Sequence, residues 1–382
     1  MGHAMTIDSA ARTIAKALPV TAPALKAAYR VRERIMTSIA TTWPSVVRAR
    51  TERITVAITA HCNLRCQGCK YGRDFMPGAQ LPFKVVEQLM KDAAAAKVPA
   101  VRLYGGEPLL HPDVVAMVET ATRFGVGCYV TTNALVLDQK IEALHRAGLR
   151  KVTVGYYGEG SAFDEYVQRP GRYERLVESL ENTRRMFGPD ELEIQFNFLL
   201  SRRSATVEAV DRMVRFADRF QGRIHIDVVH YSLPYFQEGP ARELQFTSED
   251  AATVEEVVRH LLLLKAQRPE LLTESAVAIA SITDWAIKQE DMRVPCDARK
   301  LLWVGADGSV MLCYVTFPLG NLHQNRLSEI LYSEAHHRAA QEAFALRCPN
   351  CHCEAASRVE KHGPSFRKYT AAADRLVQGV RT

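Results

Sequence analysis

The chain of 382 residues, 47% hydrophobic and 24% charged, is long enough for two or three domains of ordinary size with a sizeable core. Its formal charge of +6 is spread along the sequence, with neither clustered Lys/Arg and interleaved aromatics nor a known binding module, so no nucleic-acid partner is expected. No apolar stretch approaches the roughly 18 to 20 residues that span a bilayer, and no signal-peptide core or cleavage site follows the opening MGHAM, so no transmembrane segment and a cytoplasmic protein are expected.

Residues 1–50 read as an N-terminal helical extension: strand alternation is lacking, and LKAAYRVRERIM carries helical periodicity with basic residues. Such an extension packs on the main domain or offers an amphipathic face to a lipid or partner. From Arg53 the pattern changes. The runs ITVAIT, AVRLYG, CYVTTN, KVTVGY, LEIQFNFLL and RIHIDVV are each separated by a helix-length amphipathic segment. This alternation predicts an α/β fold in which residues 51–235 make a partial (β/α)6 TIM-like barrel, with its active site at the strand C-termini. Residues 236–290 read as a helical linker region, 291–356 as a small cysteine-rich domain, and 357–382 as a charged helix or tail.

Nine cysteines without a secretion signal favour metal or redox chemistry over disulfides. Three of them, Cys62, Cys66 and Cys69 in AHCNLRCQGCKYG, follow the first predicted strand with three and then two residues between them. One loop can thus bring three thiolates to three corners of a 4Fe-4S cube, leaving the fourth iron open, whereas ordinary ferredoxin clusters use four cysteines. Zinc would need a fourth nearby ligand, and His61, adjacent to Cys62, makes a poor chelate. At the end of the second strand stand Gly105, Gly106, Glu107 and Pro108.

The cysteine spacing and the GGEP run together resemble the radical S-adenosylmethionine (radical SAM) superfamily. The resemblance implies that S-adenosyl-L-methionine chelates the open iron, that an electron through the cluster releases a 5′-deoxyadenosyl radical, and that this radical abstracts substrate hydrogen. It assigns Cys62, Cys66 and Cys69 as catalytic cluster ligands and an electron donor such as flavodoxin or ferredoxin as partner. Cofactor contacts are expected from Gly105, Gly106 and Glu107, with Glu107 and nearby backbone groups holding the methionyl ammonium. Asn133, Tyr156, Asn197 and Arg202, at the ends of strands three to five, are further cofactor candidates. Relatives carry an aromatic residue just before the third cysteine where this chain has Gly68; Tyr71 is the substitute expected to pack on adenine.

The later cysteines begin with Cys296 and Cys313, flanking a segment in which Asp307-Gly308 reads as a hairpin turn. With Cys348 and Cys351 they can close a four-thiolate site, for which Cys353 is an alternative fourth ligand to Cys351. The layout, with PLGNL at Pro318 to Leu322, resembles the auxiliary-cluster region called SPASM, or twitch in its shorter form. One auxiliary 4Fe-4S cluster is implied, and a structural zinc site suits four cysteines equally well. Cys128, alone in an apolar strand, reads as a small buried hydrophobe; with Cys353 it is a spare thiol that an epimerase would use as hydrogen donor.

The expected activity is oxidation (dehydrogenation) or epimerisation of a small polar metabolite such as a sugar, cyclitol or nucleotide-linked compound. The alternative is a peptide maturase that forms a crosslink or an epimerised residue. No peptide-docking sheet precedes the barrel, and Gly155-Tyr156 stands where peptide-modifying relatives carry Asp-Gly, which favours the metabolite. Tyr157, Glu159, Arg169, His230 and Tyr231 are the candidate substrate contacts.

Overall fold

The computed structural model describes residues 22–234, 236, 242–314 and 316–378. The part of the expected N-terminal extension before residue 22 and the last four residues of the tail lie outside the described residues.

Six parallel strands form as the alternation predicts: β1 (Arg53–Thr59), β2 (Ala100–Gly105), β3 (Gly127–Thr132), β4 (Lys151–Tyr156), β5 (Glu193–Leu200) and β6 (Arg223–Val228). Successive strand residues face opposite sides, and the two sides differ in chemistry. Ile54, Val56, Leu103, Val154, Phe196 and Ile224 point to the helices and are fully buried. Each such side chain contributes about 1.5–3 kcal/mol. The helix Val207–Arg219 shows how the layer closes, because its Phe216 meets Tyr156 of β4 and Phe196 of β5, with ring centroids at 4.8 and 5.1 Å. The opposite face is polar. Arg53, Arg102, Lys151, Gln195 and His225 project into the lumen of the curled sheet, where they border a cavity.

The cysteine-rich region continues this sheet. Strand β7 (Leu301–Val304) pairs in parallel with β1, and β8 (Ser309–Met311) and β9 (Pro318–Asn321) follow antiparallel, giving the order β6-β5-β4-β3-β2-β1-β7-β8-β9. An uncovered β1 edge would leave a row of backbone donors and acceptors unpaired. Pairing with β7, whose four residues are all buried, removes that cost and fixes the cysteine hairpin beside the barrel mouth.

The helix Ala22–Thr42 contacts the C-terminal helices Ala355–Lys361 and Gly363–Gln378. Its Glu33 is buried and pairs with Arg299 at 3.1 Å and Lys361 at 3.6 Å, in a cluster that includes Asp297. The lysines and arginine around Asp297 hold its carboxyl below the usual range although burial opposes them. Among the described residues no helix is long and apolar enough to cross a membrane.

Candidate functional site

The loop after β1 carries Cys62, Cys66 and Cys69 to the rim of a cavity of about 470 Å³ at the C-terminal ends of the strands. Its course is fixed by main-chain bonds to the end of the helix Ser161–Val167: the Arg65 amide donates to Val167 O at 3.1 Å and the Gln67 amide to Tyr166 O at 2.8 Å. Burial pushes the Cys62 thiol up to about 12 and raises Cys66 and Cys69 as well. Thiolates there are costly until a cation neutralises them, so metal loading releases protons.

Among the described residues, a three-membered group of His, Cys, Asp or Glu with ligand atoms within 4.8 Å of one another is found at His230, Cys351 and Cys353, and not at Cys62, Cys66 and Cys69. A structural tetrahedral zinc takes four protein ligands, whereas this loop offers three thiols, as a 4Fe-4S cluster with one open iron requires.

The glycine run at the end of β2 is threaded against the cysteine loop. The Gly106 amide donates to Thr59 O and the Glu107 amide to His61 O, both at 2.8 Å. A Cβ on Gly106 would lie 2.4 Å from His61 O and 2.5 Å from Ala60 O, so only glycine permits this approach. Gly105 and Gly106 therefore present bare backbone to the cavity. Glu107 does not border it. Its carboxylate is fully buried and accepts from Leu109 N at 3.0 Å, Thr132 Oγ1 at 2.7 Å and Asn133 N at 2.7 Å. Burial pushes this carboxyl up to about 7 against those hydrogen bonds. Glu107 thus clamps β2 to the end of β3, and Asn133 is presented to the cavity by that clamp, with its Nδ2 donating to Asn63 Oδ1 at 2.7 Å.

The remaining expected cofactor residues divide by strand parity. Asn197 borders the cavity, as do Gly155 and Tyr157, the latter stacked on Tyr166 at 4.3 Å. Tyr156 is one position out of phase and is turned to the helix layer against Phe198 and Phe216, which corrects its placement among the cofactor contacts. Arg202 is likewise not brought in: past the end of β5 it donates to Asp250 at 3.0 Å on a half-exposed surface. Glu159, Arg169 and Tyr231 do not border this cavity, whereas His230 does. Gly68 has φ +73, a left-handed conformation that favours glycine over an aromatic residue. Tyr71 lies at the cavity wall, tilted against Tyr104 with ring centroids at 6.2 Å.

A second cavity of about 680 Å³ occupies the lumen below, and Arg102, Tyr104, Asn197, Asp227 and His230 border both. Cys353 reaches this lower space, and its Sγ lies 3.1 Å from His230 Nε2. The thiol of Cys353 is pushed well up by Cys351, by burial and by Cys313 and Cys296. Cys348 has Cys351, Arg358 and Arg293 as its charged neighbours. Ligand atoms of His230, Cys351 and Cys353 lie within 4.8 Å of one another, and Cys296, Cys313 and Cys348 are electrostatic neighbours of this group. Arg358, from the segment read as a plain tail, underlies this group. It is buried, donates to Cys351 O, Val294 O and Asn350 Oδ1, and lies over the Trp285 ring at 4.6 Å. The rings of His352 and His230 lie tilted with centroids 4.1 Å apart, and burial lowers both, His352 to about 4.

Comparison with known proteins agrees with these two centres. Residues 56–226 match the model of the radical SAM superfamily, and residues 296–354 match the SPASM iron-sulfur cluster-binding domain. Similar curated proteins include the AdoMet-dependent heme synthase of Methanosarcina barkeri, 29% identical over 38% of this chain and 42% of that protein. The GTP 3′,8-cyclase of Chlorobaculum tepidum is 31% identical over 39% of this chain and 45% of its own length. The chain spans less than half the length of these relatives. Among solved structures, anSMEcpe with bound AdoMet superposes with a TM-score of 0.61 at 14% identity, covering 87% of this chain and 96% of that one. Streptococcus suis SuiB bound to precursor peptide SuiA superposes with a TM-score of 0.61 at 15% identity, covering 79% and 69%. These likenesses are of fold.

Proposed function

We propose that this chain, a radical SAM enzyme with a C-terminal SPASM iron-sulfur domain, oxidises or epimerises a small polar metabolite held in the barrel lumen. The observation that carries the reading is the cavity at the strand ends. It joins three loop cysteines, bare glycine backbone and polar strand-end side chains, and it opens downward into a polar lumen.

In this reading Cys62, Cys66 and Cys69 hold the 4Fe-4S cluster, while Gly105, Gly106, Asn133 and Asn197 position S-adenosylmethionine above the lumen. Cluster and S-adenosylmethionine together supply a 5′-deoxyadenosyl radical that takes a hydrogen atom from carbon. The protein supplies orientation and exclusion of water: Tyr71, Tyr157 and Tyr166 wall the cavity with aromatic surface. An external one-electron donor of the flavodoxin or ferredoxin kind serves the first cluster. Cys296, Cys313, Cys351 and Cys353 are the assigned ligands of the auxiliary 4Fe-4S cluster, whose closeness to the lumen through Cys353 and His230 suits electron removal from a substrate radical and hence net oxidation.

A second reading, a peptide maturase, is favoured by the likeness of fold to SuiB, solved with its precursor peptide, and to anSMEcpe, solved with peptides. Under it the lumen would admit one side chain of a longer substrate.

Anaerobic reconstitution should give about eight irons per chain if two cubes form; about four with one zinc would remove the auxiliary cluster. Cys66→Ala should abolish 5′-deoxyadenosine formation under a strong reductant, and persistence of that product would overturn the mechanism.

A further inference from the structure

Arg102 stands in the middle of β2, where Val101 and Leu103 are buried against the helices and Arg102 and Tyr104 face the lumen. Its side chain borders both cavities. Nε donates to Thr131 Oγ1 at 2.8 Å, Nη1 reaches Tyr314 OH at 3.5 Å, and the guanidinium carbon lies 5.2 Å from the centre of the Tyr104 ring. Among the described residues no carboxylate lies within ion-pair distance of it. The other basic side chains of the lumen differ in this respect: Arg53 is paired with Glu354, Lys151 with Glu193 and His225 with Glu274.

A guanidinium carries its charge at every accessible pH and presents five N–H donors in a fixed planar fork. Two of those donors are directed at neutral oxygens, and the residue borders both cavities. A cation held in such a site without an opposite charge is costly, and the cost is relieved when an anion enters. The fork matches the two oxygens of a carboxylate or phosphate. We propose that Arg102 is the specificity-determining residue that binds an anionic group, carboxylate or phosphate, on the substrate.

The position on the strand separates this role from a contact with S-adenosylmethionine. Arg102 lies three residues before Gly105, which at about 3.3 Å per residue is roughly 10 Å deeper in the barrel than the glycine edge. The anionic group would therefore sit beneath the reacting carbon, at the floor of the upper cavity. Asp227, which borders the same space, supplies an acceptor for a hydroxyl or ammonium group of the same molecule. This inference rests on the proposed metabolite reading and narrows it to acids and phosphorylated compounds.

The test uses the full-length chain with its clusters and three small ligands: inorganic phosphate, acetate and S-adenosylmethionine. Binding is followed by quenching of tryptophan fluorescence, since Trp285 borders the lower cavity. The native enzyme should bind phosphate or acetate saturably, and the better of the two identifies the substrate's anionic group. Arg102→Gln should weaken that binding by at least about tenfold, the loss of a charged hydrogen-bond pair. Arg102→Lys should recover part of it, and Arg202→Gln, altered at the surface, should bind as the native chain does. Thermal unfolding of each variant separates lost binding from lost folding. Absence of saturable anion binding in the native enzyme, or equal binding in Arg102→Gln, overturns the proposal. So does loss of S-adenosylmethionine binding in place of anion binding, which would assign the guanidinium to the cofactor. Failure here leaves the parent reading standing so long as Cys66→Ala abolishes 5′-deoxyadenosine formation.

Discussion

Gly106→Ala isolates the dependence of the first centre on one missing methyl group. The added Cβ would lie 2.4 Å from His61 O and 2.5 Å from Ala60 O, about an ångström inside ordinary contact with backbone that cannot rotate away. Relief requires the Ala60–His61 segment to retreat, and Cys62 moves with it. Two hydrogen bonds at 2.8 Å, Gly106 N to Thr59 O and Glu107 N to His61 O, are stretched by the same movement. Overpacking costs about 1–3 kcal/mol and each hydrogen bond about 1 kcal/mol, so a loss of about 3–5 kcal/mol is expected. Urea unfolding of the apo chain measures it, and anaerobic iron content with S-adenosylmethionine affinity measures the site. Gly78→Ala is the control. There φ is +74 with nothing within 4 Å of the new Cβ, so only backbone strain of about 1–2 kcal/mol is introduced, away from any close contact. Full iron loading and unchanged affinity in Gly106→Ala would refute the argument, as would an equal loss of loading in Gly78→Ala.

Arg358→Met should destabilise the chain by about 3–5 kcal/mol, because the acceptors Cys351 O, Val294 O and Asn350 Oδ1 each lose a buried donor; urea unfolding and auxiliary-cluster occupancy report it, and native stability would contradict the buttress. Cys353→Ser should lower the iron content by about four per chain while Cys348→Ser retains it, and the opposite pattern would return the ligand role to Cys348. Glu107, raised from an ordinary 4.5 to about 7 by burial, stabilises the fold fully below about 4.5 and loses that contribution as pH rises through about 7. Relative to Glu107→Gln, the apo native chain should therefore lose up to about 3 kcal/mol between those limits, and a difference that does not vary with pH would show that the hydrogen bonds outweigh burial.

Strand order and strand phase were legible to different degrees. All six barrel strands follow from period-two runs of β-branched and aromatic residues, and the two cysteine groups follow from spacing. The phase was readable too, yet it had to be carried past each strand end. In KVTVGYY, Val152 and Val154 face the helices, which sends Tyr156 the same way and puts Gly155 and Tyr157 at the cavity. The same parity marks Arg102 as a lumen residue between Val101 and Leu103. The surroundings of Glu107 were not legible for another reason: Thr132 and the Leu109 and Asn133 amides, distant or featureless in sequence, converge on its carboxylate and turn it into the core. The pairing of β7 with β1 and the burial of Arg358 are long-range contacts, and no local pattern in a single sequence encodes which edge or which cluster a segment will meet.

The composition of the lumen bears on what the barrel is for. A complete barrel built for stability fills its interior with layers of Val, Ile and Leu, and every strand here already supplies such residues to its outer face. A shift of one residue in any strand would exchange the two faces. The chain instead spends Arg53, Arg102, Lys151, Gln195, Asn197 and His225 on inward positions and leaves connected space among them. Each buried polar group is tolerable only if it is satisfied, and partners are provided for Arg53, Lys151 and His225. Arg102 is held by neutral oxygens of Thr131 and Tyr314 and, among the described residues, has no carboxylate within ion-pair distance. A lumen that forgoes close packing and, among the described residues, keeps one guanidinium without a countercharge is what the proposed binding of a polar anionic substrate requires.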